Sequence, residues 1–228
     1  PQLGRVLNKT AYTAMEDCDC IGWIIDVTQD FGSGDEFILK RIQSLHKAVI
    51  LIVNKVDCIS KEDLLQRLLD WQSRYPFNEI VPVSALKKNN IDELLHVFYQ
   101  YIPEGPQLFP EEMKCDHDLN FQMCEIVREK ILFKTREEIP HSVAVLLESK
   151  EYVDNKLNLK MMIVVDRDSQ KGILIGKQGS MIRSIRLAAQ KELSKKCNCK
   201  VELELYVRVE KNWRNHERKI KEFGLDEL

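Results

Sequence analysis

The sequence lacks almost every compositional flag of a specialised protein. Its formal net charge is only −2, from 34 Lys and Arg against 36 Asp and Glu. That near-balance excludes a globally basic nucleic-acid binder, and leaves a local patch as the electrostatic route to one. No window approaches the roughly 20 apolar residues needed to span a bilayer, and no apolar run follows basic residues at the N-terminus. The expectation is a soluble, intracellular chain. C-x-x-C knuckles are also missing: the seven cysteines include two C-x-C pairs, Cys18/Cys20 and Cys197/Cys199, whose spacing does not match common zinc sites. They read as free thiols in a reducing compartment, with no metal site. His46, His96, His117, His141 and His216 fall in separate elements without ligand spacing and read as surface or packing residues. There is no internal repeat and no low-complexity tract. The first methionine is Met15, so a chain starting PQLGRVLN is expected to have been processed or to have lost its beginning.

What is present is a globular composition, 44% hydrophobic and 31% charged over 228 residues, enough for one large core or two modest ones. Two domains are expected, because the halves differ. Residues 1–110 carry a net −4 and residues 111–228 a net +2, with +7 concentrated in residues 171–200.

In the first half three apolar runs, IGWIIDV (21–27), AVILIVNKVD (48–57) and EIVPVSAL (79–86), alternate with segments of helical period. That alternation marks βαβ units on a mostly parallel sheet. Ser60 with Asp63, and Asn90 with Glu93, predict N-caps ahead of two apolar helical stripes. Residues 103–118 then gather three prolines and a glycine without periodicity, as a linker would. Beyond them the pattern predicts a helix, two strands that pair antiparallel (HSVAVLLESKEY and NLKMMIVVDRD), a glycine loop, a second helix (SMIRSIRLAAQKEL) and a last strand (KVELELYVRV).

The glycine loop, GILIGKQGS at 172–180, has nearly the composition of a P-loop but not its spacing. Three residues rather than four separate Gly172 from Gly176, and Lys177 is followed by Gln178, which lacks the hydroxyl that would ligate magnesium. The loop instead reads as a G-x-x-G, Gly176–Lys177–Gln178–Gly179, opening a helix whose first amides can meet anions. The glycines let a nucleic-acid backbone approach, and Ile173, Ile175 and Ile182 form an apolar wall for unpaired bases. Lys171, Lys177, Arg183, Arg186 and Lys191 supply the charge. This is the loop of the KH fold, in an element order that resembles its type II arrangement, and it points to single-stranded RNA. Trp213, beside Lys211 and Arg214, could stack a base; packing the last helix against the sheet is the preferred reading.

At the end of the second apolar run stands Asn54–Lys55–Val56–Asp57, and at the end of the third Ser84–Ala85–Leu86–Lys87. Ligands of open α/β sheets bind at such carboxyl ends. An ionised Asp57 can accept hydrogen bonds from the ring N–H and the exocyclic amine of guanine, and adenine offers neither there. Asn54 can tie the two loops, the stem of Lys55 can cover a purine face, and the Ala85 N–H can meet the guanine oxygen. Asn54, Lys55, Asp57, Ser84, Ala85 and Leu86 are therefore the candidate guanine site. N-K-x-D alone is common; paired with S-A-L-K one strand later it is specific to translation-factor-like GTPases.

With these motifs, and with FPEE, MCEIVREKILFKTREEIPHSVAV, LIGKQGSMIRSI and ELYVRVEKNW in order, essentially the whole chain resembles the Era family of GTPases. The resemblance implies an α/β fold: a partial P-loop-GTPase-type parallel sheet with flanking helices over residues 1–104, a linker over 105–118, and an α+β type II KH domain over 119–228. It implies GTP/GDP and Mg2+ as ligands of the family. It also implies the 3′ end of small-subunit ribosomal RNA and the small ribosomal subunit as partners in ribosome assembly, often with peripheral membrane association. The expected location is cytoplasmic, possible at the inner membrane, or else an organelle matrix or stroma. In Era proteins the P-loop, first switch and D-x-x-G motif precede the segment that begins here at Pro1. The expectation is weak or absent nucleotide binding, no hydrolysis by this chain alone, no catalytic residue within it, and an exposed apolar edge at the strand over 21–27. The alternative is a non-enzymatic KH RNA-binding protein with a degenerate G domain. Lys88 stands where the family often has glycine, and Cys115 where it often has threonine.

Overall fold

A computed structural model describes residues 2–107, 110, 118–135, 139 and 143–225. Most of the expected linker, with Cys115 and with FPEE apart from Pro110, lies outside the described residues, as do His117 and His141. The chain divides into two compact units, Ala11–Leu108 and Pro1–Thr10 with Phe109–Leu228. The first ten residues thus group with the KH-type half, where the sequence placed them with the other.

In the unit Ala11–Leu108, strands β1 (Cys20–Asp26), β2 (Ala48–Asn54) and β3 (Glu79–Pro82) form a parallel sheet in the order β1-β2-β3. Helices α2 (Ser33–Gln43), α3 (Lys61–Arg74) and α4 (Ile91–Tyr101) connect and cover it. The unbroken apolar run of β2 follows from its central place: Val49, Ile50, Leu51 and Val53 are fully buried, so both faces are covered. One face packs Ile21, Trp23 and Ile25 against Leu39, Ile42 and Trp71, with Trp23 and Trp71 edge-on at 5.2 Å. The other packs Ile50, Ile52 and Val81 against Val97 of α4. Gly22 is required on that face, because a Cβ there would lie 2.7 Å from the Phe98 ring. β1 is one of the two outer strands among the described residues, and its Ile24 is 63% exposed.

The predicted Ser60 cap is present, its hydroxyl accepting from Asp63 N–H at 3.0 Å. Asn90 is not a side-chain cap. It takes φ 60° and its amide instead donates to the Pro82 carbonyl at 2.9 Å, so the turn before α4 is held from the end of β3 rather than from its own helix.

In the other unit, β4 (Ala144–Val153) pairs antiparallel with β5 (Lys156–Val165), and β5 pairs parallel with β6 (Lys200–Val209), in the order β4-β5-β6. A parallel neighbour requires a crossover. Here it comprises α6 (Asp168–Ile175), a short 3-10 turn over Lys177–Gly179 and α7 (Ser180–Lys196). Helix α6 was not predicted, and Ile173 and Ile175 belong to its last turn rather than to a loop. One sheet face packs Leu157, Leu159, Met161 and Ile163 against Met123, Val127 and Ile131 of α5 (Leu119–Thr135), Leu174 of α6, and Ile185, Ala189 and Leu193 of α7. The opposite face carries a smaller cluster, in which Ala144, Met162 and Val164 meet Trp213, Ile220 and Phe223. Leu3, near the start of α1 (Gln2–Asp17), belongs to the same cluster, which is why the first residues group with this unit. Trp213 is 1% exposed and stacks edge-on to Phe223 at 5.3 Å; it is a core residue and cannot stack a base.

Candidate nucleotide and nucleic-acid sites

The first site is made at the carboxyl ends of β2 and β3. The two strand ends are tied by backbone, with Val83 N–H bonding Val53 O at 2.8 Å and Val56 N–H bonding Val83 O at 3.2 Å. Asn54 Oδ1 accepts from the Ala85 N–H at 3.0 Å, so its side chain fixes the second loop on the first. Ser84, 1% exposed, donates its hydroxyl to Asp57 Oδ1 at 2.6 Å and accepts from the Lys87 N–H at 3.1 Å. That hydroxyl hydrogen bond, with help from Lys87, lowers the Asp57 carboxyl below its usual range. Asp57 is exposed, and its carboxylate also receives hydrogen bonds from its own backbone and from Cys58.

Lys55 takes φ 66° and its ammonium bonds Asp26 Oδ2 at 2.6 Å, at the end of β1. This contact, followed by hydrogen bonds from Thr28, lowers the Asp26 carboxyl to about 2. The lysine head is thereby anchored, which fixes where its stem runs. Leu86, expected in the site, has a side chain that is 82% exposed. Lys88, where glycine was expected in the family, has φ 55° and closes the loop by donating to Ala85 O at 3.3 Å; the backbone keeps the glycine conformation at a modest strain cost, about 1 kcal/mol. The structure brings Asn54, Asp57, Ser84 and Ala85 together directly. Asp26 and Thr28 are additions that the sequence did not reveal, because the register Asp26↔Asn54 that aligns the strand ends is set by pairing.

The second site is the crossover of the KH-type unit. Gly176 has φ 70° and ψ 174°, a region essentially reserved for glycine, and a Cβ there would lie 2.7 Å from Met181 Cβ and 2.9 Å from Met181 N. Gln178 and Gly179 are left-handed, at φ 52° and 75°, and no atom lies within 4 Å of a Cβ built on Gly179. This backbone projects the exposed side chains of Lys177 and Gln178 outward at the start of α7. Arg183 is exposed and Arg186 half-buried. Ile173, Ile175, Met181 and Ile182 are half-buried and pack against the core, so the expected apolar wall is a partly covered one.

A groove of about 850 Å³ opens beside α7, lined by Arg186 and Gln190 of that helix, by Lys200, Glu202 and Glu204 of β6, and by residues of β4 and β5 such as Glu151 and Lys160. β6 is an outer strand of the sheet among the described residues, so its free edge offers backbone donors and acceptors to a bound chain. Gln190 and the β6 residues were not foreseen, since no local signal says which strand is the edge. Among the described residues no group of three His, Cys, Asp or Glu side chains could hold a metal ion. No helix of the described residues is long and apolar enough to cross a membrane.

An α/β unit with guanine-type loops at its strand ends, followed by a unit built around a G-x-x-G crossover, defines a GTPase-type domain joined to a KH domain. Residues 7–104 match the Elongation factor Tu GTP binding domain model, and residues 138–214 match the KH domain model. The chain is 38% identical to a single-substitution variant of Aquifex aeolicus Era bound to GDP·AlF4−, over 97% of this chain and 76% of that one, with a TM-score of 0.88. It is equally 38% identical, over the same shares and with a TM-score of 0.89, to Era in complex with MgGDPNP and nucleotides 1506–1542 of 16S ribosomal RNA. The chain belongs to the Era family.

Proposed function

We propose that the protein binds guanine nucleotides through the loops after β2 and β3 and single-stranded ribosomal RNA through the crossover between α6 and α7, and that it acts in small-subunit assembly. The observation that carries the nucleotide half is the bond from the Ser84 hydroxyl to Asp57, which fixes an ionised carboxylate at the strand ends; the Ala85 N–H, expected to meet the guanine oxygen, is instead taken by Asn54 Oδ1 and ties the two loops. Guanine presents the two donors, ring N–H and exocyclic amine, that such a carboxylate accepts; adenine does not. The solved Era with MgGDPNP and a 16S ribosomal RNA fragment supports both halves by likeness.

No residue in 1–228 is assigned a catalytic role. Phosphoryl transfer depends on groups that cradle the β- and γ-phosphates and magnesium, and the family resemblance places those ahead of Pro1. The base contacts alone therefore give weak nucleotide binding, and the 228-residue chain is proposed not to hydrolyse GTP by itself. Asp57→Asn tests the base site: the amide turns a donor toward the guanine N–H, and preference for GDP over ADP should vanish with the fold intact. A preference that survives the substitution would mean that Asp57 does not read the base.

A further inference from the structure

Helix α7 presents two different surfaces. Its core side is Ile185, Ala189 and Leu193, all fully buried. At 3.6 residues per turn, Arg186 and Gln190 point together into the groove along β6, and Lys191, Lys195 and Ala188 lie about half a turn away. On that far side Lys191, Lys195 and Lys196 surround a second cavity of about 660 Å³, floored by Ile126 of α5 and Ala188. All three lysines are exposed, and none has an ion-pair partner among the described residues. The one acid in that cavity, Glu192, is neutralised by Lys130 at 2.5 Å. Two of the lysines sit in the last turn, where cations suit the helix dipole, but Lys191 does not, and the dipole does not explain a hollow between them. Leu187, 51% exposed, lies on the ridge between groove and hollow.

We propose that the far face of α7 is a second RNA contact, in which Lys191, Lys195 and Lys196 take phosphates of the same RNA whose bases occupy the β6 groove. This rests on the RNA-binding reading above. A G-x-x-G loop clamps about four nucleotides, and a longer strand must place its further phosphates elsewhere on the protein. Three unpaired cations within a hollow suit a polyanion backbone, and the exposed Leu187 gives an apolar crossing for a base. A helix is only about 10–12 Å across, so one strand can reach both faces.

The test uses the full 228-residue chain with two probes: RNA corresponding to nucleotides 1506–1542 of 16S ribosomal RNA, and six-nucleotide fragments tiled across it. The wild-type chain is expected to bind the long RNA more tightly than its best fragment. Replacing Lys191, Lys195 and Lys196 together by Gln should weaken the long RNA roughly tenfold, lower its log–log salt slope by about two, and leave the best fragment unchanged. Unchanged affinity for the long RNA, equal loss for long and short, or no length dependence in the wild type would each overturn the proposal. Loss of binding to phosphatidylglycerol vesicles, with both RNA affinities intact, would also overturn it and assign the lysines to a membrane surface. Failure of the groove reading itself would look different: no fragment would bind the wild type, or Lys177→Glu with Gln178→Glu would leave fragment binding intact.

Discussion

The two sites of this protein are built by opposite means. At the ends of β2 and β3 the positions are set by side chains: Asn54 holds Ala85, Ser84 holds Asp57 and Asp26 holds Lys55. In the crossover between α6 and α7 they are set by backbone, through Gly176, Gln178 and Gly179 at positive φ, while the side chains at the tip, Lys177 and Gln178, are exposed. A side-chain scaffold fails when a hydrogen-bonding group is removed. A backbone scaffold fails when a Cβ is added, and tolerates changes in the side chains it displays.

That contrast gives graded predictions. The largest effect belongs to Gly176→Ala, which meets both a forbidden conformation and Met181 at 2.7 Å; we expect about 3 kcal/mol of destabilisation in chemical denaturation and loss of RNA binding. Tolerance of alanine there would break the backbone half of the comparison. Lys177→Glu with Gln178→Glu should abolish RNA binding at an unchanged melting temperature, since both side chains are exposed. Asn54→Ala should come next, freeing the Ala85 loop and weakening guanine nucleotide binding by about 1–2 kcal/mol, as removing a hydrogen bond does; a nucleotide titration of the variant checks it. Gly179→Ala has open space around it and pays only for its left-handed backbone, so about 1 kcal/mol is expected. A ratio of effects reversed between Gly176 and Gly179 would contradict the geometry.

The smallest effect concerns pH. The Ser84 hydroxyl keeps the Asp57 carboxyl below its ordinary range, and Lys55 brings Asp26 to about 2. Both folded-state values are depressed, so the contributions of these groups are fully present above the unfolded carboxylate value near 4 and are lost only as pH falls through the folded values. Guanine preference should be flat between about pH 5 and pH 8. A midpoint near pH 6 would assign the base contact to another group.

The sequence made the first site legible because its parts are local: an apolar run long enough to be a central strand, ended by Asn54–Asp57, and a second ended by Ser84–Ala85. What escaped it depends on pairing. Asp26 joins the site only because β1 and β2 align in register, and the groove exists only because pairing brings residues of β4, β5 and β6 together beside α7. Helix α6 was hidden by its own composition. Gly172, costly within a helix at about 1 kcal/mol, and the run Ile173–Leu174–Ile175 resemble a strand entering a loop, yet they form the last turn of α6, whose Leu174 is fully buried in the core. Asn90 stands at the N-cap position of α4 as expected, but its side chain bonds the Pro82 carbonyl instead of capping the helix, since capping residues also favour left-handed turns. The preferred reading of Trp213, packing the last helix against the sheet, holds, as its cluster with Ile220, Phe223 and Met162 shows.

The central claim is that Asn54, Asp57, Ser84 and Ala85 form a guanine-reading pocket within this chain. Titration of the 228-residue protein with fluorescent GDP, and with labelled ADP as the control, tests it most directly. The account predicts weak, saturable binding that favours GDP. Equal binding of the two nucleotides, or none of either, would contradict it and leave the protein's function with the RNA-binding half.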